Sequence, residues 1–151
     1  MIVLDTNVVS ELLRPAPAKE VEAWLSAQDG AEVYFTAVGE AELRYGVAIL
    51  PAGKRRTALA KAIEGILEED LRDRILPFDR PAVRAYAAIA AKRRAAGRPI
   101  SQFDCQIAAI ARAHGAVVAT RNTEDYEGCG VAVIDPWNQA TVMRVPPRMR
   151  G

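Results

Sequence analysis

The chain has 151 residues, of which half are hydrophobic and about a quarter are charged; this composition is typical of a folded globular domain and excludes a largely disordered chain. The net charge of +1 excludes attraction of nucleic acid by the overall field, so any such attraction must come from local clusters of basic residues. The two cysteines lack a metal-type spacing, and no apolar run approaches the ~20 residues that span a bilayer. We therefore expect one domain in the cytoplasm, without a membrane segment.

Short apolar strands alternate with helices along the chain. The predicted strands are residues 1–4, 33–35, 74–78, 116–119 and 131–134, of which 74–78 is either a strand or an extended link. The predicted helices begin at residue 6 or 7 and then cover 18–28, 37–50, 56–71, 82–96 and 101–114; Thr6 or Asn7 caps the first and Ser101 caps the last. This alternation predicts an α/β fold with a short, mainly parallel sheet and helices on both faces. The domain covers residues 1–140, and a basic, mobile tail covers 141–151.

The first strand ends in an acid. Asp5 directly follows the apolar residues 1–4, and ligands of open parallel sheets bind beyond the carboxyl ends of the strands. If the strand at 116–119 runs parallel to the first, the loop after it brings Thr120, Asn122 and Asp125 to the same edge of the sheet. This edge is the first candidate for a functional site.

Two further acids are predicted to face the core. Asp104 shares its helical stripe with the apolar residues at 100, 107 and 108, and a charge in that position needs a partner. In the helix 37–50, Glu40 can pair with Arg44 four residues later, whereas Glu42 shares its stripe with apolar residues at 38, 45 and 49. Glu42 is therefore predicted to point inward and Glu40 outward.

Asp5, Glu42 and Asp104 come from distant parts of the chain, and no basic residue occupies an inward position that would neutralise all three. Clustered carboxylates repel one another unless a multivalent cation joins them, and hard oxygen ligands favour Mg²⁺ or Mn²⁺. Such a site can activate water and stabilise a phosphate in transfer, which points to phosphodiester hydrolysis. The alternative is that each acid is separately a helix cap or a member of an ion pair.

Four segments, in this order, resemble the motifs of one known family. They are LDTNVVSELLR at 4–14, AELRYGV at 41–47, FDCQIAAIA at 103–111 and VATRNTEDY at 118–126. Together they are similar to PIN-domain ribonucleases, specifically the VapC toxins of the FitB-like branch. The resemblance implies a three-layer PIN fold, a metal-dependent endoribonuclease, a homodimer and a cognate antitoxin that occludes the site.

The resemblance also implies roles for individual residues. Asp5, Glu42 and Asp104 are the expected catalytic and metal-binding acids, and a fourth acid is expected in the TRN segment. This chain departs from the pattern there, because Asn122 occupies that position and the nearest acid is Asp125. The fourth ligand is thus either the carbonyl oxygen of Asn122 or the carboxylate of Asp125.

Supporting roles are less specific. Thr6, Asn7 and Thr120 either contact the water shell of the metal or simply cap a helix and stabilise a loop. Lys92, Arg93, Arg94 and Arg98 form a basic cluster that either guides RNA or is a solvated helix face. Trp24 and Trp137 are expected in the core or an interface rather than as platforms for base stacking.

Two rival functions are considered. A haloacid-dehalogenase-like phosphatase also has an aspartate after its first strand, but it requires a second aspartate two residues later, where this chain has Asn7. The other rival is a PIN-like module that binds RNA or protein without cutting it, and the asparagine at position 122 keeps that possibility open.

Overall fold

The computed structural model describes residues 1–138 and the backbone of residues 142–143. Its described strands are β1 (Ile2–Leu4), β2 (Val33–Thr36), β3 (Ile75–Leu76), β4 (Val117–Ala119), β5 (Val133–Ile134) and β6 (Val142–Met143). They form one sheet in the order β3-β2-β1-β4-β5-β6, in which the first five strands are parallel and β6 is antiparallel to β5. The predicted parallel sheet is confirmed.

Helices cover both faces of this sheet. They are α1 (Thr6–Leu12), α2 (Lys19–Ser26), α3 (Ala37–Ala48), α4 (Lys54–Gly65), α5 (Arg80–Ala95) and α6 (Gln102–Ala113). Successive residues of β1 serve the two faces: Val3 packs in a core with residues of α5 and α6, whereas Leu4 packs in a second core with residues of α1 to α4. The fold is therefore the predicted three-layer α/β/α arrangement.

The pairing of β1 with β4 determines where the polar edge of the sheet lies. Leu4 is in register with Ala119, so that both strands end at the same level. The backbone N–H of Asp5 then donates to the carbonyl of Ala119 at 2.8 Å. As a result, Asp5 and Thr120 are neighbours beyond the carboxyl ends of the two strands.

The predicted helix caps are correct at one end of the chain and wrong at the other. Ser101 caps α6, because its hydroxyl accepts from the backbone N–H of Asp104 at 3.2 Å. The first helix is capped by Asp5 and not by Thr6 or Asn7, since Asp5 Oδ1 accepts from the backbone N–H of Thr6 at 2.7 Å. The helix follows the strand without a linker, so the acid that ends β1 also caps α1.

The fourth helix differs from its predicted range, whereas the predicted domain boundary is not tested. The predicted helix 56–71 begins at Lys54 and, after Gly65, continues as a π-helix over Ile66–Asp70. The domain boundary at 140 and the tail at 141–151 lie outside the described residues, except for β6, whose backbone extends the sheet. Within the part of the chain that is described, no helix is both long and apolar enough to cross a membrane.

Candidate functional site

An open cavity of about 530 Å³ lies beyond the carboxyl ends of β1 and β4. All three predicted acids, Asp5, Glu42 and Asp104, line it, together with Asn122 and Asn7. Because Asp5 follows β1, Glu42 lies on α3 and Asp104 lies in the first turn of α6, the cavity joins three distant parts of the sequence. The structure thus brings together the acids that the sequence predicted.

Asp5 is the most deeply buried of the three acids, with 5% of its surface exposed. While Oδ1 caps α1, Oδ2 accepts from the Thr120 hydroxyl at 2.7 Å and makes a longer contact of 3.4 Å with the Asn7 amide. Burial raises the pKa of Asp5 to about 6; the hydrogen bonds from Thr120 and Thr6 oppose this rise, and the charge of Asp104 adds to it. Hydrogen bonds therefore hold the side chain of Asp5 in place, but ionising it in this buried position costs free energy.

Glu42 is half-buried, and Thr6 connects it to Asp5. The Thr6 hydroxyl donates to Glu42 Oε1 at 2.8 Å, while the backbone N–H of the same residue donates to Asp5. Burial raises the pKa of Glu42 above its ordinary value, and the charge of Asp104 raises it further. Thr6 therefore positions two of the acids at once.

Asp104 is also half-buried, and its pKa is raised by burial in the first place. The charge of Asp125 adds to this rise, while Ser101 and Arg93 oppose it. Since Asp104 raises the pKa of both Asp5 and Glu42, its charge repels each of the other two carboxylates. A bound cation would relieve this repulsion.

The donor chemistry of the cavity fits a divalent cation. Between residues 1 and 138, none of the three acids forms an ion pair. The groups that donate hydrogen bonds to their carboxylates are hydroxyl and amide groups. The same part of the chain holds no group of three or more His, Cys, Asp or Glu side chains already drawn together as metal ligands. The three acids therefore share one cavity without being drawn together as metal ligands. Their hard oxygen atoms are of the kind that Mg²⁺ and Mn²⁺ prefer.

The two candidates for the fourth ligand occupy different places. Asn122 lines the cavity, and its backbone N–H donates to the Thr120 hydroxyl at 3.1 Å. Asp125 lies on the 3₁₀ turn Thr123–Tyr126 with an exposed side chain, and it does not line the cavity, although its charge acts on Asp104. Asn122 is thus nearer to the cavity, and Asp125 contributes negative charge beside it.

The supporting residues form one hydrogen-bonded network around Asp5. Asn7 Nδ2 donates to the Thr120 hydroxyl at 3.2 Å, and Asn7 Oδ1 accepts from the backbone N–H of Arg121 at 3.3 Å. Thr120 is completely buried, and its own hydroxyl donates a hydrogen bond to Asp5. Thr6, Asn7 and Thr120 therefore fix the carboxylates and the loop after β4, whatever further role they have.

The prediction for the basic cluster is wrong for Arg93. Its side chain is only 7% exposed, and its guanidinium donates to the backbone carbonyls of Arg98 at 2.7 Å, Asp125 at 3.2 Å and Glu127 at 2.6 Å. A guanidinium satisfied by carbonyls in this way stabilises the loop that carries Asp125 and is not available to RNA. Lys92 and Arg94 are exposed, and Arg98 is exposed but forms an ion pair with Glu127 at 2.9 Å.

The reasoning that placed Glu42 was partly wrong. Glu40 does pair with Arg44, at 2.9 Å, and Val38 is buried. However, Tyr45 and Ile49, which were expected on the buried stripe with Glu42, are 68% and 63% exposed. Glu42 therefore lies at the edge of the buried face and reaches the cavity because Thr6 lies opposite it.

Sequence reasoning missed four residues that line the cavity, Ser10, Glu11, Arg14 and Arg121, and it did not place Trp137 there. The guanidinium of Arg121 stacks on the Trp137 ring at 5.1 Å from the ring centre. Trp137 is half-buried and packs against the core, as expected, and it also lines the cavity. Arg121 follows Thr120 directly and belongs to the TRN segment, which is a signal that could have identified it. Trp137 gave no such signal, because only the return of the chain after β5 brings it to the cavity.

Comparison with known proteins agrees with the fold. The PIN domain family model matches residues 2–127. The VapC ribonuclease Y4jK of Sinorhizobium fredii is 47% identical over 93% of this chain and 100% of that protein, and Toxin FitB of Neisseria gonorrhoeae is 44% identical over 91% and 99%. The crystal structure of FitAcB from Neisseria gonorrhoeae superimposes with a TM-score of 0.86 at 43% identity, covering 91% of this chain and 99% of that one. These matches exclude the phosphatase alternative, and the chain belongs to the PIN-domain family, in the branch of the VapC and FitB toxins.

Proposed function

We propose that this protein is the toxin of a type II toxin-antitoxin pair and acts in the cytoplasm as a Mg²⁺- or Mn²⁺-dependent endoribonuclease. The observation that carries this proposal is the meeting of Asp5, Glu42 and Asp104 at one cavity, where none of them forms an ion pair with a described residue. The kinship with a VapC ribonuclease and with a toxin supports it, and PIN nucleases generally use divalent metal ions.

The residues of the cavity have separate roles in this proposal. Asp5, Glu42 and Asp104 hold the cation, and either Asn122 or Asp125 supplies a further oxygen. The cation supplies an activated water and stabilises negative charge on the phosphate. Thr6 and Thr120 hold the carboxylates in place by the hydrogen bonds described above.

Basic side chains are needed on the path of the RNA, and the rim of the cavity offers two. Arg121 and Arg14 are exposed beside the acids, and Arg14 also pairs with Glu11 at 3.0 Å. Lys92 and Arg94 are exposed and, with Arg98, remain candidates for a second contact. A guanidinium near a scissile phosphate can bind it in a bidentate manner, so Arg121 is the first choice for that contact.

The experiment that tests the activity compares two neighbouring glutamates. Glu42→Gln should reduce cleavage of total cellular RNA in Mg²⁺ by about a hundredfold or more, since it removes a charge from the centre of the reaction. Glu40→Gln is the matched control, because Glu40 lies on the same helix but pairs with Arg44 away from the cavity. Equal loss in both variants, or cleavage that persists in EDTA, would contradict the proposal.

A second candidate, a PIN-like module that binds RNA or protein without cutting, is favoured by the open arrangement of the acids and by the asparagine at position 122. Replacing an acid separates the two functions. In a nuclease, Asp104→Asn abolishes cleavage and growth inhibition, whereas a pure binder shows no cleavage before the substitution and binds RNA equally well or better after it, because repulsion of phosphate falls.

The proposed partners are a second copy of the chain and an antitoxin. An antitoxin that inserts an arginine among the acids would compete with the cation by simple electrostatics. Co-expression with the product of the neighbouring reading frame, followed by measurement of the mass of the purified complex, tests both partners. A monomer that never forms a complex with that product would remove them from the proposal.

A further inference from the structure

Arg121 is held at the acidic cavity by an aromatic ring and not by a carboxylate. Its guanidinium carbon lies over the Trp137 ring at 5.1 Å from the ring centre, and both residues line the cavity together with Asp5, Glu42 and Asp104. Within residues 1–138, the guanidinium of Arg121 forms no ion pair and no hydrogen bond. Among the described residues, its N–H donors are therefore free for a ligand.

The other arginine that lines the cavity has a different arrangement. Arg14 forms an ion pair with Glu11 at 3.0 Å, and Glu11 also accepts from the backbone N–H of Ala18 at 3.1 Å. Arg14 thus takes part in fixing the chain after α1. Because Arg14 has a carboxylate partner and Arg121 has only an indole, Arg121 is the better candidate for binding an external anion.

Local contacts fix both members of the stacked pair. The side chain of Trp137 packs against the core that contains residues of α1 to α4, and its backbone N–H donates to the Asp135 carboxylate at 2.9 Å. The backbone N–H of Arg121 donates to the side chain of Asn7 at 3.3 Å. An indole attracts a guanidinium through its π face and leaves the N–H donors unused, whereas a carboxylate would occupy them. The ring therefore orients a cation whose donors stay available.

We propose that Arg121 and Trp137 form a binding site for a phosphate of the RNA backbone, in which Arg121 binds the phosphate and Trp137 is the positioning residue. The inference rests on the proposed function, because it takes RNA as the substrate, and it deepens that function by assigning a role to Trp137. A guanidinium can offer two parallel N–H donors to two phosphate oxygens. A cation at this place also offsets the repulsion between phosphate and the acids of the cavity.

The test measures binding of a short, fluorescein-labelled single-stranded RNA by fluorescence anisotropy at several KCl concentrations. All variants are made in an Asp104→Asn parent and measured in EDTA, which prevents metal-dependent cleavage. Arg121→Gln should weaken binding by about tenfold and reduce the slope of log affinity against log salt by about 0.7, as expected for one lost phosphate contact on a single strand. Arg121→Lys keeps the charge but not the planar fork, so it should keep the slope and bind about fivefold less tightly.

The role of Trp137 is tested by two substitutions and a double variant. Trp137→Leu should weaken RNA binding by about threefold, whereas Trp137→Phe keeps a π face and should stay within a factor of two of the parent. In the Arg121→Gln protein, adding Trp137→Leu should cause no further loss, since the ring acts only through Arg121. Losses that multiply would show that the ring contacts RNA by itself and would overturn the positioning role.

The control is Arg84→Gln, which removes the same charge elsewhere. Arg84 is exposed on α5 and does not line the cavity, so its substitution should leave RNA binding within a factor of two. Should Trp137→Leu fail to fold, the Arg121 variants decide the inference, because unchanged RNA binding in both of them overturns it.

The outcomes separate this inference from the proposed function. If Arg121→Gln binds RNA as the parent does while Glu42→Gln still loses cleavage, the inference is overturned and the proposed function stands. If Arg121→Gln weakens binding but the unchanged protein does not cleave RNA in Mg²⁺, the phosphate site stands and the nuclease fails. A parent that does not bind RNA overturns the inference, and cleavage by the unchanged protein then decides the proposed function separately.

Discussion

Replacing Asp5 with asparagine should stabilise the cation-free protein while it destroys the cation site. The reason is that burial raises the pKa of Asp5 from 3.8 to about 6, so that ionised Asp5 opposes folding at neutral pH. The folded state binds the proton more tightly than the unfolded state. Protonated Asp5 therefore makes its full contribution to the stability of the folded state below about pH 4, and this contribution is lost as the pH rises through about 6.

The magnitude follows from the two pKa values. A pKa of about 6 in place of 3.8 corresponds to about 3 kcal/mol of lost stability at pH 7.5. Asparagine does not recover all of it, because an NH₂ group, which cannot accept, replaces one of the two carboxylate oxygens that accept from Thr6 and Thr120. Allowing about 1–2 kcal/mol for one lost hydrogen bond leaves a gain of roughly 1–2 kcal/mol, or about 2–8 °C in Tm.

The assay is thermal unfolding in EDTA at pH 7.5 and at pH 4.5, followed by the same measurement with Mn²⁺. Asp5→Asn should be the more stable protein at pH 7.5, and most of its advantage should disappear at pH 4.5. Mn²⁺ should raise the Tm of the unchanged protein but not that of the variant. Asp79→Asn is a suitable control, because Asp79 also caps a helix but is exposed. A variant that is less stable at pH 7.5, or whose advantage is the same at both pH values, would refute the reasoning.

Three further predictions concern residues outside the acids. Arg93→Met should lower the free energy of unfolding in urea by about 2–4 kcal/mol, because three backbone carbonyls lose their donor; an unchanged midpoint would contradict the structural role. Replacing Lys92 and Arg94 together with alanine should weaken RNA binding and reduce its salt dependence, and binding that is unchanged would remove them from the RNA path. Gly39→Ala should cost about 1–3 kcal/mol, since a Cβ there would lie 2.4 Å from a ring carbon of the aromatic residue at 35, whereas Gly46→Ala on the same helix has open space and should not.

The fold was predictable because its strands are short, apolar and followed directly by helix signals. Five of the predicted strands are present in one parallel sheet, and Ser101 caps its helix as the sequence indicates. The first cap was assigned wrongly because the prediction treated Asp5 only as a ligand, while its two oxygens serve both the helix and the cavity. A carboxylate can accept several hydrogen bonds, and the sequence does not reveal how they are divided.

The site was predictable only in part, because spacing on a helix does not determine the width of its buried face. Glu42 does line the cavity, but its stripe neighbours Tyr45 and Ile49 are exposed. Similarly, a run of basic residues does not show which member is buried. Two of the three carbonyls that accept from Arg93 belong to the distant loop 123–127, and the third is that of Arg98. Contacts of this kind depend on distant segments and not on local pattern.

The central claim is that Asp5, Glu42 and Asp104 together hold one divalent cation. Its most direct test is a crystal of the protein grown or soaked with Mn²⁺ and measured at a wavelength where manganese scatters anomalously. The account predicts an anomalous peak in the cavity within coordination distance of oxygen atoms from at least two of these three side chains. A well-ordered cavity without such a peak, or a peak elsewhere with all three carboxylates bound only to local donors, would contradict it.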